Sequence, residues 1–318
     1  MFPTAHLIKE IGRGSKGARS ITQIQARELF AAILAGQVSD LELGALLLAM
    51  RIKGESVQEI AGFSQALESS LTLLQAPPSE YAPIVIPSYN GARRMANLTP
   101  LLACLLARAG APVLVHGVVQ DAGRVTSAEI FQAMGLAHCA DPGAAEQQLA
   151  AHTQQPVFIA IEQLAPRAGQ LLALRRQLGV RNSTHTLVKI LQPFVRPAVR
   201  LACYTHPEYL TMLSDYFTTL ADPARGDVLL MRGTEGEAVA NINKVQAVNL
   251  FHAGQQISLQ QAEQSIEASL IVPPDLQGTA GWIQSVLDGH VAVPENIARQ
   301  VAQILAVARQ LNSRETSA

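Results

Sequence analysis

Residues 81–110 read YAPIVIPSYNGARRMANLTPLLACLLARAG. A short apolar run at Ile84–Ile86 enters a turn-rich loop and leaves it into the long apolar stretch Leu101–Gly110. Strand, loop and helix in that order form the unit from which a parallel sheet covered by helices is assembled. In such a unit the loop at the strand's carboxyl end is the usual place for backbone N–H groups to grip a phosphate. This loop has one glycine, with Tyr89 in its middle and Arg93 and Arg94 behind it. Its composition raises a choice between a phosphorylated small molecule and some other ligand.

Upstream, residues 6–75 carry apolar residues at three- and four-residue spacing, as in amphipathic helices. Ser39-Asp40 and Ser56 are expected N-caps, and Gly36 and Gly54 are expected stops. The linker QAPPSEYAP at 75–83 breaks the pattern with three prolines. Downstream, short β-rich runs alternate with helical ones. IVI precedes a helix over 101–109, PVLVHG a helix over 127–134, and PVFIAI a basic helix. VLLMRG and ASLIVP read as further strands, 281–310 as mostly helical, and the terminal NSRETSA as a fraying end. The expected fold is α/β: a small N-terminal helical domain over 1–77, and a larger α/β domain over 78–318 with a mainly parallel sheet.

The bulk properties exclude several classes. The 318 residues suffice for one large domain or a large and a small one. No apolar run reaches the roughly 18–20 residues that a membrane span needs. MFPTAHLIKEIGRG has no signal-peptide core, so a cytoplasmic location is expected. Cys104, Cys139 and Cys203 are widely spaced, with neither a disulfide framework nor a metal pattern. His116, His185 and His206 stand alone, so no metal site is expected. GRGSKG at 12–17 matches a dinucleotide fingerprint literally, but TAHLIKEI before it is helical in pattern where a strand is required.

Charge is distributed unevenly although the formal net charge is only −1. Arg13, Lys16 and Arg19 cluster in the N-terminal turn with Lys9. From Tyr81 to Gln120 there is no acid, while Arg93, Arg94 and Arg108 are present. From Gln163 to Pro207 there is again none, against Arg167, Arg175, Arg176, Arg181, Lys189, Arg196 and Arg200. If these stretches meet in space, a near-neutral protein carries a cationic groove that concentrates polyanions. If they do not, they are ordinary solvated faces.

Several stretches together resemble the anthranilate phosphoribosyltransferase (glycosyltransferase family 3) fold. LFAAILAGQVSDLELGALLLAMRIKGESVQEIAGF, within 25–68, resembles its helical domain. LGVRNSTHTLVKILQPF resembles its LGxRTxxNxLGPL segment, and HPEYLTMLSDYF and MRGTEGEAV fall at later landmarks. The resemblance implies a homodimer paired through the helical domain, which a helical insertion from about 165–192 joins. It also implies a remnant phosphoribosyl site at Ser88, Tyr89, Asn90, Gly91, Asn97, His116, Gly117 and Arg181. The family's GTGGDG diphosphate loop is replaced by Pro87-Ser88-Tyr89-Asn90-Gly91-Ala92, where proline removes a donor and tyrosine adds bulk. Its KHGNRxxSS becomes Val115 to Gly123, and its Mg-binding DE becomes Ala238-Val239, leaving Glu235 and Glu237 nearby. Arg181 matches the arginine that contacts anthranilate.

The replacement wording, IPSYNGAR, VHGV and RGTEGEA, resembles the YbiB-type branch, which implies DNA and RNA binding without sequence preference. The expected function is therefore a homodimer that binds DNA or RNA non-specifically, with no catalytic residue and no cofactor. Its phosphate contacts are expected from Arg13, Lys16, Arg19, Arg93, Arg94, Arg175, Arg176, Lys189 and Arg196. The alternative is a phosphoribosyltransferase or phosphorylase with an altered substrate, for which Mg would be required.

Overall fold

The computed structural model describes residues 1–14, 16–151, 154–263 and 270–316. The chain opens with four helices: α1 Ala5–Ile11, α2 Gln23–Leu34, α3 Asp40–Lys53 and α4 Val57–Ser69. The side chains of Thr22, Ser39 and Ser56 each close a capping box with the residue three positions on. Gly36 and Gly54 take positive φ at the ends of α2 and α3, the conformation that glycine adopts without steric cost. Helices α2 and α4 pack closely because Gly62 has no Cβ; one placed there would lie 2.3 Å from the Gln23 carbonyl oxygen.

The rest alternates strand and helix as the pattern predicts. It runs β1 Ile84–Ser88, α5 Thr99–Arg108, β2 Val113–Gly117, α6 Ser127–Ala133, β3 His138–Cys139, α7 Pro142–Ala150 and β4 Val157–Ala160. The basic segment is then broken into α8 Ile161–Leu164, α9 Pro166–Ala173, α10 Arg175–Leu178 and α11 Thr184–Leu187. After β5 Val199–Tyr204 come α12 Pro207–Thr219, β6 Val228–Arg232, β7 Val248–His252, β8 Gln255–Gln260, α13 Leu276–Leu287 and α14 Glu295–Thr316. Arg167 of α9 donates to the carbonyl oxygens of Ile33 and Leu34, which ties the basic segment back to the end of α2.

The strands form one sheet among the described residues, in the order β3-β4-β2-β1-β5-β6-β7-β8. The pairs from β3 through β6 are parallel, and β7 and β8 add antiparallel strands at one edge. Two apolar clusters line its two faces. The β1–β5 ladder is short, pairing only Ile84 with Val199 and Val85 with Arg200. Ile84 donates towards β2, so alternation turns residue 87 towards β5, past the end of that ladder. A proline is tolerated in a central strand there because no partner awaits its missing N–H. Beyond Val85 the two strands part, and a crevice opens at their carboxyl ends, where the strand order reverses.

Two expectations need correction. Residues 270–273 of ASLIVP form no strand, and 268–269 lie outside the described residues. Over 312–316 NSRETSA is helix rather than a frayed end: α14 continues to Thr316, with Glu315 paired to Arg196 at 2.6 Å and Arg314 to Asp227 at 3.5 Å, and 317–318 lie outside the described residues. Residues 281–310 are mostly helical as expected, in two helices that break between Leu287 and Glu295.

Candidate functional site

The loop after β1 is held by the turn after β6. Glu237 Oε1 accepts the backbone N–H groups of Asn90 and Gly91, both at 2.7 Å. Glu235 accepts those of Arg93 at 2.6 Å and Arg94 at 3.0 Å. Amides aimed this way make the concavity that would otherwise hold an external anion. Here the chain's own carboxylates fill it. Gly236 makes the fit possible: a Cβ there would lie 1.6 Å from Asn90 Nδ2. Glu235 adopts a positive φ of 50°, an uncommon conformation for a residue with a side chain. Glu237 is buried, with the Thr99 hydroxyl at 3.5 Å from its other oxygen. Neither glutamate forms an ion pair among the described residues.

The other remnant positions are also committed internally. Ser88 Oγ lies 2.7 Å from Ser127 Oγ, and Asn97 Nδ2 donates to Ser127 Oγ at 3.1 Å and to the Val125 carbonyl. Gly117 lets β2 approach the loop; a Cβ there would meet the Ser88 carbonyl oxygen at 1.8 Å. Tyr89 Oη lies 2.6 Å from His116 Nδ1. Burial holds the His116 pKa down to about 3, so the ring is neutral at physiological pH, and its Nε2 has no partner among the described residues. Burial raises the Tyr89 phenol pKa well above its ordinary value. Among the described residues no group of acids, histidines and cysteines could hold a metal ion.

A cleft of about 610 Å³ opens beside the loop at the carboxyl ends of β1 and β5. It is lined by the end of α3, the 181–189 segment, the end of β5 and the start of α12. Tyr89 and Asn90 reach it from the loop. Arg181 bonds Asn90 Oδ1 at 3.2 Å, and Lys189 donates to the Gly236 carbonyl at 3.3 Å. The Arg181 pKa is lowered first by burial and then by the charges of Arg175, Arg124 and Arg51, with Asp121 opposing. Burial, followed by Arg181, holds His185 at about 4 and neutral. Cations from both parts of the chain thus converge at this cleft.

The basic residues singled out in the sequence divide into groups. Arg181 and Lys189 line the cleft, and Arg175 stands near it, 3.9 Å from Asp121. Arg176 is exposed beside Arg175 and makes no ion pair among the described residues. Arg93 and Arg94 are exposed on the loop whose amides bind Glu235. Arg13, Lys16 and Arg19 are exposed between α1 and α2, with Arg13 paired to Glu10 at 2.7 Å, and none of them lines the cleft. Arg196 sits before β5, at the strand's opposite end, and binds Glu315 and Asn312 of α14. Sequence reasoning missed Arg51 and Arg124 because each stands apart from the acid-free runs, Arg51 in the last turn of α3 and Arg124 beyond Asp121. Tyr204 and Tyr209 were missed as well; only the end of β5 followed by the start of α12 brings both to the cleft.

Glu237→Ala should leave two buried donors without an acceptor and lower stability by roughly 2 kcal/mol or more. Glu237→Gln, which keeps one oxygen, should cost less, and denaturant unfolding of the two variants measures the difference.

Residues 5–70 match the helical bundle domain of the glycosyl transferase family. YbiB of Escherichia coli K12, an uncharacterized protein, is 42% identical over 93% of this chain and 91% of its own length. The anthranilate phosphoribosyltransferase of Methylobacterium nodulans is 28% identical over 85% of this chain and 79% of its own. The solved anthranilate phosphoribosyltransferase of Thermus thermophilus aligns over 96% of this chain and 89% of that one, with a TM-score of 0.70 and 22% identity, a likeness of fold. The helical bundle, the mainly parallel sheet and the extent of the YbiB match lead to one assignment: this chain belongs to the YbiB family, on the anthranilate phosphoribosyltransferase fold of glycosyltransferase family 3.

Proposed function

We propose that this protein binds DNA or RNA through phosphate contacts, without sequence preference, and does not use its loop to hold a sugar diphosphate. The observation that carries this reading is the pairing of a self-occupied loop with an under-neutralised cationic cleft. Glu235 and Glu237 take the amides that would hold a diphosphate. Arg51, Arg181 and Lys189 line the adjoining cleft, and among the described residues none of them is in an ion pair. Arg175, Arg176, Arg93 and Arg94 are exposed outside the cleft and are able to add phosphate contacts. Contacts of this kind position a backbone without reading bases. The alternative transferase reading draws on the family's enzymes and the retained Arg181, but it requires the loop to exchange both of its carboxylates for substrate.

The proposed assembly is a homodimer paired on α3. Leu41, Leu48 and Ile52 lie along one face of this helix and are 85%, 45% and 67% exposed, an apolar stripe that a second copy would cover.

Arg175→Glu/Arg176→Glu should weaken binding to every polymer about equally, by tenfold or more near 0.1 M salt. It should also reduce the salt-dependence slope by about 0.9 for each lost duplex phosphate contact. Arg196→Ala, which removes a contact with α14, should lower stability and leave binding unchanged. Fluorescence anisotropy at several salt concentrations reads both; unchanged affinity in the charge-reversal variant would place the polymer elsewhere. Leu48→Glu should yield monomers in light scattering; an unaltered dimer would move the interface off α3.

A further inference from the structure

The lining of the cleft combines two chemistries. Arg51, Arg181 and Lys189 supply cations, while Tyr204 and Tyr209 supply aromatic side chains. The two tyrosines are half-buried, and among the described residues neither ring packs against another aromatic ring. Tyr209 Oη lies 3.5 Å from Arg51 Nη1, so a cation and an aromatic group adjoin there. Two carboxylates also border the cleft: Glu55, whose Oε1 accepts from Ser183 Oγ at 2.5 Å, and Glu208, exposed in the first turn of α12. The remaining cation of this region, Lys53, is committed to buried Glu59 at 2.7 Å and is not available to a ligand.

A duplex backbone could touch the cations, but it would leave the tyrosines idle, because paired bases are stacked inside the helix. An unpaired nucleotide uses both chemistries. Its phosphate meets the guanidinium and ammonium groups, and its base lies on a tyrosine face, an arrangement that tolerates any base because each has a π-face. The volume of about 610 Å³ falls within the range of sites that enclose a small organic ligand.

We infer that the cleft takes an unstacked nucleotide from a single strand, with the base on Tyr204 or Tyr209 and the phosphate among Arg51, Arg181 and Lys189. This inference rests on the nucleic-acid reading and adds to it a preference for single strands. The double variant Tyr204→Ala/Tyr209→Ala should lose tenfold or more in affinity for a short oligothymidylate, within the usual effect of removing a stacking partner. Its affinity for a duplex of equal length should stay within about twofold of the unsubstituted protein. Tyr204→Phe/Tyr209→Phe keeps the ring faces, so it should bind the oligothymidylate as the unsubstituted protein does, which separates stacking from a hydroxyl contact.

An unchanged oligothymidylate affinity in the alanine variant, or equal losses for single strand and duplex, would overturn the inference. In either case a response to Arg175→Glu/Arg176→Glu would leave the broader reading standing. Absence of binding to both polymers by the unsubstituted protein would overturn both. Circular dichroism of each variant confirms that it is folded before its affinity is compared.

Discussion

Two carboxylates on one short turn organise the candidate site. Glu237 is buried where a lone charge would be costly, and the amides of Asn90 and Gly91 make that burial tolerable. Glu235 does the same for the amides of Arg93 and Arg94 at the rim. The contact links the ends of β1 and β6, two strands that are not neighbours in the sheet. It also requires Gly236, because any side chain there would collide with Asn90. The loop is therefore a satisfied internal structure. A ligand that sought the same amides would first have to displace two carboxylates.

The cleft beside it is the product of topology. The β1–β5 ladder ends at Val85, so the strands separate just where a mainly parallel sheet reverses its order. The last turn of α3 supplies Arg51, the segment around α11 supplies Arg181 and Lys189, and β5 and the loop after β1 supply Tyr204, Tyr89 and Asn90. The lowered pKa values of Arg181 and His185, each caused first by burial and then by neighbouring cations, describe a place where positive charge gathers. A net charge of −1 hides this, because most of the Glu and Asp residues that balance the sum stand away from the cleft, which only Glu55 and Glu208 border among the described residues.

Much of the fold was legible in the sequence. The capped helices at Ser39 and Ser56 and the strands at Ile84, Val113 and Val157 follow from spacing and cap chemistry. Strand β5 was not anticipated: VRLACY places an arginine among apolar residues, and that Arg200 is buried over the Phe217 ring. Polar β8, QQISLQ, gave no β signal because it is an exposed edge. Charge runs alone could not tell Arg175, near the cleft, from Arg196, which holds α14 at the other end of the sheet. The resemblance set PSYNGA where the family has GTGGDG and so pointed to this loop, but the part played by Glu235 and Glu237 depends on a contact across more than 140 residues.

If the amides of the 90–94 loop are filled from within, the loop has no free position for a sugar diphosphate. Titration calorimetry with phosphoribosyl pyrophosphate and Mg²⁺ tests that most directly. The account predicts no saturable heat at concentrations where a transferase of this fold would bind its substrate. A saturable one-to-one isotherm that is lost when Asn90 and Arg181 are replaced would contradict it.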